Sequence, residues 1–246
     1  MSEWLYGRNA VREALRANRR TFSTLRLAGD PGKRARLDEL LSLARERGVA
    51  VEEASKTDLD KLGDGHQGVA LKAGDYPYSD IGEIINLAAQ RGEMPFLLLL
   101  DTLQDPQNLG ALLRTAEAVG LHGVMLPHRR TARVTPAVVN ASSGASEHLL
   151  IAQHNLAQAI ALLKAEDLWV LGLEGGEDAQ IIDDVNLAGP MAVVVGSEGQ
   201  GMRKLVRDSC DVLVRLPMHG QIESLNAAVA GSIMLYLVRQ ARDAAA

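Results

Sequence analysis

The sequence predicts an α/β protein in which a small N-terminal α/β module precedes a larger C-terminal domain built on a parallel sheet. From residue 95 onward, short apolar runs alternate with amphipathic segments in a strand, helix, strand rhythm. These runs, such as PFLLLLD and MAVVVG, lack strict apolar-polar alternation, which is typical of parallel strands covered by helices on both faces. The chain has 246 residues, of which 47% are hydrophobic and 23% charged, so it has room for one large or two small globular domains.

Residues 1–72 are predicted to form the small module, because helical and strand patterns alternate within them. Helices are predicted over residues 7–17 and 35–47, and strands over residues 23–28, 49–53 and 68–72. The first 36 residues carry nine Lys or Arg against three Asp or Glu. The module therefore has a basic stripe, whose first five members are Arg8, Arg12, Arg16, Arg19 and Arg20.

Residues 73–94 are predicted to be a linker with one amphipathic helix. Gly74, Pro77 and Pro95 bracket this helix, and Ser79 or Asp80 could cap it. The C-terminal domain then spans residues 95–246. Its predicted strands are PFLLLLD, GVMLP, LWVLGLE, MAVVVG and VLVRLP, and its predicted helices are NLGALLRTAEAVG, a segment from about residue 202, and residues 225–242.

Composition argues against several classes of protein. With 26 Lys and Arg against 31 Asp and Glu, the net charge is −5, which does not suit a uniformly basic nucleic-acid binder. Two Trp, four Tyr and two Phe are too few for rows of aromatic platforms that stack single-stranded bases. No apolar run approaches the roughly 20 residues that span a bilayer. The first residues also lack a secretion signal, so the cytoplasm is the predicted location.

Cys210 is the single cysteine. A single cysteine excludes an intramolecular disulfide and a metal site built from several cysteines. We also predict no metal site built from other residues. We interpret Cys210 as a small buried apolar side chain.

The first of three candidate loops follows the strand PFLLLLD. Asn108 precedes the predicted helix, and Arg114 lies six positions later. One interpretation is that Asn108 caps the helix and Arg114 is an exposed helical residue. The other is that a capping Asn108, lying off the helix, meets Arg114 at one cleft. The spacing alone does not decide between them.

The second loop, VVVGSEGQGM, joins a strand to a helix through Gly196, Gly199 and Gly201. Its spacing, G-x-x-G-x-G, differs from the dinucleotide fingerprint G-x-G-x-x-G. Glu198 would repel a pyrophosphate seated at the helix N-terminus. The loop therefore favours a neutral or cationic nucleoside ligand without phosphate. A plain glycine-rich turn, with Glu198 favourable near the helix N-terminus, is the alternative.

The third loop, LPMHGQIESLNAAVAGS, leads into the last helix, which Ser224 could cap. This helix has a face of small residues that permits close approach by another backbone. We expect this helix to make a tight contact with another part of the protein. In one interpretation, that part belongs to a second subunit. The small residues are Ala227, Ala228, Ala230, Gly231 and Ser232.

Together, the segments N-x5-R, G-S-E-G-x-G-M and P-M-x-G-x-x-x-S-L-N resemble the SpoU/TrmH family of RNA ribose 2'-O-methyltransferases. The resemblance covers nearly the whole chain, because YGRNAVREAL and HQGVAL are similar to the family's accessory RNA-binding domain, of the ribosomal-protein L30-like kind. It implies an enzyme that uses S-adenosylmethionine. It also implies a deep trefoil knot in the C-terminal domain and a homodimer whose active site draws on both subunits.

The resemblance also implies roles for individual residues. We expect Arg114 to grip the phosphate 3' of the target ribose and to stabilise developing alkoxide charge, because a guanidinium with a pKa above about 12 resists acting as a base. The basic stripe between Arg8 and Arg36 is expected to bind the RNA. The implied catalytic residues are Asn108, Arg114, Glu198, Ser224 and Asn226, and the implied cofactor pocket comprises Gly172, Gly196, Leu216, Met218, Ser224 and Leu225.

The predicted reaction is 2'-O-methylation of a guanosine in the P-loop of 23S rRNA, with free 23S rRNA or a pre-ribosomal particle as the partner. A methyltransferase acting on tRNA, or on another rRNA site, is the nearest alternative. A catalytically silent RNA-binding homologue is a second, which the presence of Arg114, Glu198 and Asn226 opposes. A dinucleotide-dependent oxidoreductase is a remote third, which the glycine spacing opposes.

One position departs from the family pattern. Asn140 stands where many members have a basic residue before the S-x-G-A stretch, so RNA contact from that loop is expected to be weaker. Arg129, Arg130 and Arg133 lie just upstream and could substitute for it, or could simply form a solvated turn.

Overall fold

The computed structural model describes residues 2–28, 37–176 and 178–245. Its contacts divide the chain into two compact units. The first comprises Met1–Pro77 with Arg133–His148, and the second comprises Tyr78–Ala132 with Leu149–Ala246. The segment Arg133–His148 thus packs within the first unit, although it lies inside the predicted C-terminal domain, residues 95–246. The predicted division into residues 1–72, 73–94 and 95–246 stays a prediction.

Within its described residues, the first unit contains a four-stranded sheet in the order β1-β4-β2-β3. Strands β2 and β3 are parallel, whereas β4 runs antiparallel to both β1 and β2. Leu5, Leu71 and Leu25 stand opposite one another across three strands and are fully buried, so they form the centre of this unit's core. The elements are β1 (Glu3–Tyr6), α1 (Arg8–Ala17), β2 (Phe22–Ala28), α2 (Asp38–Glu46), β3 (Ala50–Ala54), α3 (Lys56–Asp60), β4 (Val69–Ala73) and α6 (Pro136–Ala141), with a 3-10 turn at Ala145–Glu147.

The predicted elements of the module agree with this unit to within a few residues. Helix α2 begins at Asp38, and the start of the predicted helix at residues 35 and 36 lies outside the described residues. The sequence did not predict β1 or α3. Strand β1 has a single fully buried side chain, Leu5, and α3 is a five-residue polar helix, so neither produces a clear apolar period.

In its described residues, the second unit contains a seven-stranded sheet in the order β7-β6-β5-β10-β8-β11-β9, with every neighbouring pair parallel. All residues of β5 and β10 are buried, which confirms the predicted parallel sheet. The elements are α4 (Ile81–Arg91), β5 (Phe96–Leu100), α5 (Pro106–Ala118), β6 (Gly123–Leu126), β7 (Ile151–Gln153), α7 (Leu156–Ala165), β8 (Trp169–Leu173), β9 (Gln180–Ile181), β10 (Met191–Val195), α8 (Lys204–Ser209), β11 (Val212–Arg215) and α9 (Ala227–Ala245), with a 3-10 turn at Ile182–Asp184.

Helix α4 is capped by Asp80, one of the two predicted candidates, whose side chain accepts a hydrogen bond from the backbone N–H of Glu83 at 2.8 Å. The helix ends where Gly92 adopts the left-handed conformation, with φ of 65°. The cap at Asp80 was one of the two predicted, whereas the end at Gly92 was not predicted.

The final helix, α9, packs tightly against α5 within the same chain. A Cβ at Gly231 would lie 2.7 Å from a methyl group of Leu112 and 3.2 Å from one of Val195, so these side chains would have to shift to admit it. The hydroxyls of Thr115 and Ser232 also lie 2.9 Å apart across the contact. The expected tight helix contact is therefore present inside the chain, and an additional contact between subunits stays a prediction.

Two further expectations concern the whole chain. The deep trefoil knot stays a prediction, since strand order alone does not establish it. Among the residues described here, no helix combines the length and the apolar character needed to cross a membrane.

Candidate active site

The carboxyl ends of β5, β10 and β11 bring the three candidate loops to one edge of the parallel sheet, where ligands bind in such folds. At the first loop, Asp105 rather than Asn108 caps α5. Its carboxylate accepts hydrogen bonds from the backbone N–H groups of Gln107 and Asn108, each at 3.2 Å. Pro106 occupies the first helical turn, as the fixed φ of proline favours. The prediction that Asn108 caps the helix is therefore wrong, and its side chain is available for other contacts.

The side chains of Asn108, Glu198 and Asn226 form one hydrogen-bonded cluster. The Asn108 amide donates to Glu198 Oε1 at 2.8 Å, and the Asn226 amide donates to Asn108 Oδ1 at 3.1 Å. The Asn226 amide also donates to the same Glu198 oxygen. One carboxylate thus receives two amide donors from distant parts of the chain, which fixes its position. Three residues from three predicted motifs meet at this cluster.

Asn226 also starts the final helix. Its Oδ1 accepts hydrogen bonds from the backbone N–H groups of Ala228 at 2.9 Å and Val229 at 3.2 Å. The prediction that Ser224 caps this helix is therefore wrong, because α9 begins at Ala227 and Ser224 lies exposed in the preceding loop. Because the Oδ1 atom of Asn226 caps the helix, the N–H₂ group of the same side chain faces Asn108 and Glu198.

The glycine-rich loop folds back on itself. Ser197 and Gly201 exchange backbone hydrogen bonds at 3.1 and 3.0 Å, and Gly199 between them has a φ of 76°. A Cβ at Gly196 would overlap the backbone of Gly201 and Met202, so glycine is required there. This tight hairpin presents Glu198 near its tip.

Asp101, which follows β5 directly, anchors the same loop. This fully buried carboxylate accepts hydrogen bonds from the backbone N–H of Arg203 at 2.7 Å and from its Nε at 2.8 Å. A second guanidinium nitrogen of Arg203 lies 2.6 Å from Asp101 Oδ1. Sequence reasoning missed this pair, although an Asp at the carboxyl end of a parallel strand was a usable signal.

A cavity of about 670 Å³ lies between the second and third loops. Its lining contains three carboxylates, Glu174, Glu198 and Glu223, and one cationic side chain, Arg215, so its charge is negative on balance. A negative wall favours a cationic ligand. The predicted site residues that line it are Gly196, Glu198, Leu216, Met218, Ser224, Leu225 and Asn226.

Two predicted site residues lie elsewhere. Gly172 is in strand β8, where a Cβ would crowd the side chains of Leu213, Met202 and Cys210, so it shapes the packing below the loops. Arg114 is exposed on α5 and is absent from the described lining of the cavity. Its catalytic role stays a prediction.

The structure contradicts the RNA-binding prediction for Arg20. Its side chain is fully buried and lies 2.7 Å from Glu147 Oε1, which is also buried, and it pairs with Glu3 as well. The guanidinium carbon stacks 4.8 Å from the centre of the Tyr76 ring. Burial raises the pKa of the Glu147 carboxyl, whereas the charge of Arg20 lowers it. Arg20 therefore holds the first unit together and does not face RNA.

The other four arginines predicted to bind RNA differ in exposure. Arg19 is half-buried and donates to the backbone oxygens of Glu147 at 3.4 Å and Pro77 at 3.3 Å, so it too has a structural role. Arg12 and Arg16 each pair with Glu13 at the surface, where solvent screens the pairs.

Arg8 lies on a separate cavity within the first unit, of about 920 Å³, which also involves Ser55, Lys56 and His66. Its Nε donates to the backbone oxygen of Gln67 at 3.1 Å. Arg26, the next member of the stripe, pairs with Glu52 at 3.3 Å. The last three members, Lys33, Arg34 and Arg36, lie outside the described residues.

Asn140 and Cys210 have packing roles. The Asn140 side chain donates to the backbone oxygen of Tyr6 at 3.1 Å within the first unit. Cys210 is half-buried rather than fully buried, and its thiol donates to the backbone oxygen of Val206 at 3.3 Å. Burial raises the pKa of Cys210 to about 12, so the thiol is not a reactive nucleophile.

Comparison with known proteins gives two matches to family models. Residues 95–236 match the SpoU rRNA Methylase family, and residues 4–79 match the family described as RNA 2'-O ribose methyltransferase substrate binding. The first match covers more than half of the chain.

A Bacillus subtilis protein, YacO, named as a member of the TrmH family of tRNA/rRNA methyltransferases, is 38% identical over 245 residues. The alignment covers 98% of this chain and 96% of that protein.

Two solved structures have the same fold. The SpoU methyltransferase AviRb from Streptomyces viridochromogenes, crystallised with the cofactor AdoMet, superposes with a TM-score of 0.80 and 23% identity, over 99% of this chain and 91% of that one. The AdoMet-bound rRNA methyltransferase from Sinorhizobium meliloti superposes with a TM-score of 0.79 and 24% identity, over 97% and 87% of the two chains.

Proposed function

This chain belongs to the SpoU rRNA methylase family, and we propose that it transfers a methyl group from S-adenosylmethionine to the ribose 2'-oxygen of one nucleotide in RNA. The observation that carries this proposal is the cluster of Asn108, Glu198 and Asn226 at a nucleoside-sized cavity. The cluster joins the three sequence motifs in one site. Its members are polar and fixed in position, as a transfer reaction between two bound groups requires.

The cavity fits S-adenosylmethionine, which carries a positive sulfonium and no phosphate. Glu198 and Glu223 outnumber Arg215 in the lining and leave it negative. The charge of the third carboxylate, Glu174, is balanced by Arg207, 2.7 Å away. Leu216 and Leu225 supply an apolar wall for an adenine ring. Gly196 allows the hairpin to close, because a Cβ there would overlap the backbone of Gly201 and Met202. S-adenosylmethionine supplies, when bound, a methyl group on a positively charged sulfur that an oxygen nucleophile can attack.

The residues of the cluster orient the reacting groups. Because Asn108 and Asn226 both donate to Glu198 Oε1, the carboxylate keeps its second oxygen for a substrate or cofactor group. Correct positioning of two reactants supplies about 7 to 11 kcal/mol of barrier reduction in favourable cases. A fixed carboxylate at the cavity wall serves this purpose without reorganisation during the reaction.

Arg114 is assigned to the RNA side of the site. In this proposal it binds the phosphate 3' of the target ribose and stabilises the alkoxide that develops on the 2'-oxygen. The support for this assignment is the family resemblance of the N-x5-R segment, together with the exposure of Arg114 on α5.

The first unit is proposed to capture RNA. Residues 4–79 match a family of substrate-binding domains, and the exposed Arg16 and the half-buried Arg8 and Arg12 are the candidates for phosphate contact. Arg20 is removed from this set because it is buried.

The proposed substrate is a guanosine in 23S rRNA, either as free RNA or in a pre-ribosomal particle. A tRNA is the alternative. Methyl transfer from radiolabelled S-adenosylmethionine to separate pools of 23S rRNA and tRNA, followed by nuclease mapping, tests this choice. Label confined to 23S rRNA supports the proposal, and label confined to tRNA contradicts it.

The assembly and the location are also proposals. We propose a homodimer in the cytoplasm. The exposed apolar side chains of Val229, Ile233 and Tyr236 on α9 support a second copy packing against this helix. Sedimentation at several protein concentrations tests the dimer, and a monomer at every concentration contradicts it.

A further inference from the structure

A second cavity, of about 450 Å³, borders the same glycine-rich loop. It is lined by residues 102–105, Asn108 and Arg130, and by the loop itself. Ser197, Glu198, Gln200 and Gly201 line both this cavity and the cofactor-sized cavity of about 670 Å³. The two cavities therefore share one wall, which is the hairpin that carries Glu198.

The hydrogen-bonded cluster spans this shared wall. Asn226 lines the larger cavity, Asn108 lines the smaller one, and Glu198 lines both. Two compartments that meet at one fixed carboxylate suit a reaction between two bound molecules. A group held in one cavity can approach a group held in the other beside Glu198.

We propose that the smaller cavity receives the target nucleotide of the RNA, with its ribose toward Asn108 and Glu198. This inference rests on the proposed methyltransferase function, in which the larger cavity holds S-adenosylmethionine. The volume of the smaller cavity lies within the range of pockets that take a single small organic molecule. A nucleotide bound there must leave its stack, as single nucleotides in RNA loops and bulges do.

The side chains of the smaller cavity match the parts of a nucleotide. Gln104 is exposed on its lining and offers both an amide donor and an amide oxygen, which is the combination that reads the edge of a base. Arg130 is exposed on the same lining, and no partner for its guanidinium occurs among the described residues. A guanidinium without a carboxylate partner suits an RNA phosphate.

The segment that carries Arg130 is anchored to the cavity. The hydroxyl of Thr131 and the backbone N–H of Ala132 both donate to the backbone oxygen of Leu103, at 3.0 and 2.8 Å. The neighbouring residue, Arg130, is thus kept beside the residues that follow β5. Pre-ordering of this kind lowers the entropic cost of binding a phosphate.

The test compares two cavity variants with two matched controls. Gln104→Ala and Arg130→Ala each remove one proposed contact, whereas Gln90→Ala and Arg91→Ala remove exposed side chains of the same types from α4. We expect each cavity variant to raise the KM for the methylated RNA by about tenfold or more, as loss of a hydrogen bond to a charged or base group does. The control variants should keep the wild-type KM.

Two binding measurements separate this inference from the proposed function. Calorimetric titration should give S-adenosylmethionine Kd values within about twofold of wild type for both cavity variants, because their side chains lie outside the larger cavity. Filter binding of 23S rRNA in the presence of S-adenosylhomocysteine should weaken in both. If wild-type protein methylates RNA and the cavity variants match it in KM and in rRNA binding, the nucleotide assignment is overturned while the methyltransferase function stands.

If the wild-type protein transfers no methyl group to 23S rRNA or tRNA, the proposed function fails, and the filter-binding result still decides whether the smaller cavity binds RNA. A photocrosslinker in place of Gln104 gives an independent readout. Crosslinks should map to the methylated nucleotide or its immediate neighbour, and crosslinks confined to distant nucleotides would contradict the assignment.

Discussion

Glu198 Oε1 accepts a hydrogen bond at 2.8 Å from the side-chain amide of Asn108, which precedes it by 90 positions in the chain. The contact joins the first turn of α5 to the tip of the glycine-rich hairpin. Asn226, at the start of α9, donates hydrogen bonds to both of these side chains. The carboxylate is thereby fixed at the wall of the larger cavity.

Replacing Glu198 by Gln should weaken S-adenosylmethionine binding by about threefold to tenfold. The Gln side-chain oxygen can still accept from Asn108 and Asn226, so the variant removes mainly the negative charge that favours the sulfonium. S-adenosylhomocysteine, which has a neutral sulfur, is the matched control ligand, and its affinity should change by less than about twofold. Calorimetric titration measures both affinities. An equal loss of affinity for the two ligands would contradict the claim that the negative charge of Glu198 attracts the sulfonium.

Replacing Gly196 by Ala should lower S-adenosylmethionine affinity by about tenfold or more. The added Cβ would overlap the backbone of Gly201 and Met202 and force the hairpin apart. Gly189→Ala is the control, because a Cβ there would meet nothing within 4 Å and Gly189 lies outside the lining of the cavity. Calorimetric titration with S-adenosylmethionine measures the affinity of both variants. An equal loss of affinity in the two variants would show that binding does not depend on the geometry of the hairpin.

Replacing Arg114 by Lys should reduce kcat by about a hundredfold or more while S-adenosylmethionine affinity stays within about twofold of wild type. Lys keeps the positive charge but loses the planar pair of donors that grips a phosphate and a developing alkoxide. Single-turnover methyl transfer measures the rate. A rate near that of wild type would remove Arg114 from the reaction.

Replacing Arg20 by Met should destabilise the protein by about 3 to 5 kcal/mol, because Glu147 would be left as an unpaired buried carboxylate. Arg16→Met is the control, since Arg16 pairs with Glu13 and Glu39 at the surface and should contribute less than about 1 kcal/mol. Urea denaturation of both variants measures the difference. A small effect at Arg20, together with weakened rRNA binding, would restore it to the RNA-binding surface.

The strands at the centre of the large sheet were predictable from the sequence. Phe96–Leu100 and Met191–Val195 are wholly apolar, and the structure pairs them in register, Met191 opposite Phe96. By contrast, the sequence analysis did not identify Ile151–Gln153 as a strand, because three residues at the sheet edge give no usable period.

The capping residues show where local sequence patterns are ambiguous. Asp105 and Asn108 both have capping side chains, and Ser224 competes with Asn226 in the same way. Pro106 after Asp105 was an unused signal for the observed cap, because proline favours the first turn of a helix. The three residues of the cluster, Asn108, Glu198 and Asn226, were implied by family resemblance, whereas the hydrogen bonds between them depend on packing between segments that are remote in sequence.

The basic stripe shows a second limit of sequence reasoning. Arg20 and Arg16 are alike in the sequence, but Arg20 is buried beside Glu3 and Glu147, and Glu147 lies 127 positions away. A helix or strand period cannot reveal such a partner. Long-range ion pairing therefore decides which arginines remain available to RNA.

The most direct test of this account is to identify the atom that receives the methyl group. Purified protein is incubated with 23S rRNA and with tRNA in the presence of S-adenosylmethionine carrying a deuterated methyl group, and the RNA is digested to nucleosides for mass spectrometry. The account predicts the deuterated methyl on the ribose of guanosine, at a phosphodiester that resists alkaline cleavage. A deuterated methyl on a base, or no transfer to either RNA by protein that binds S-adenosylmethionine, would contradict it.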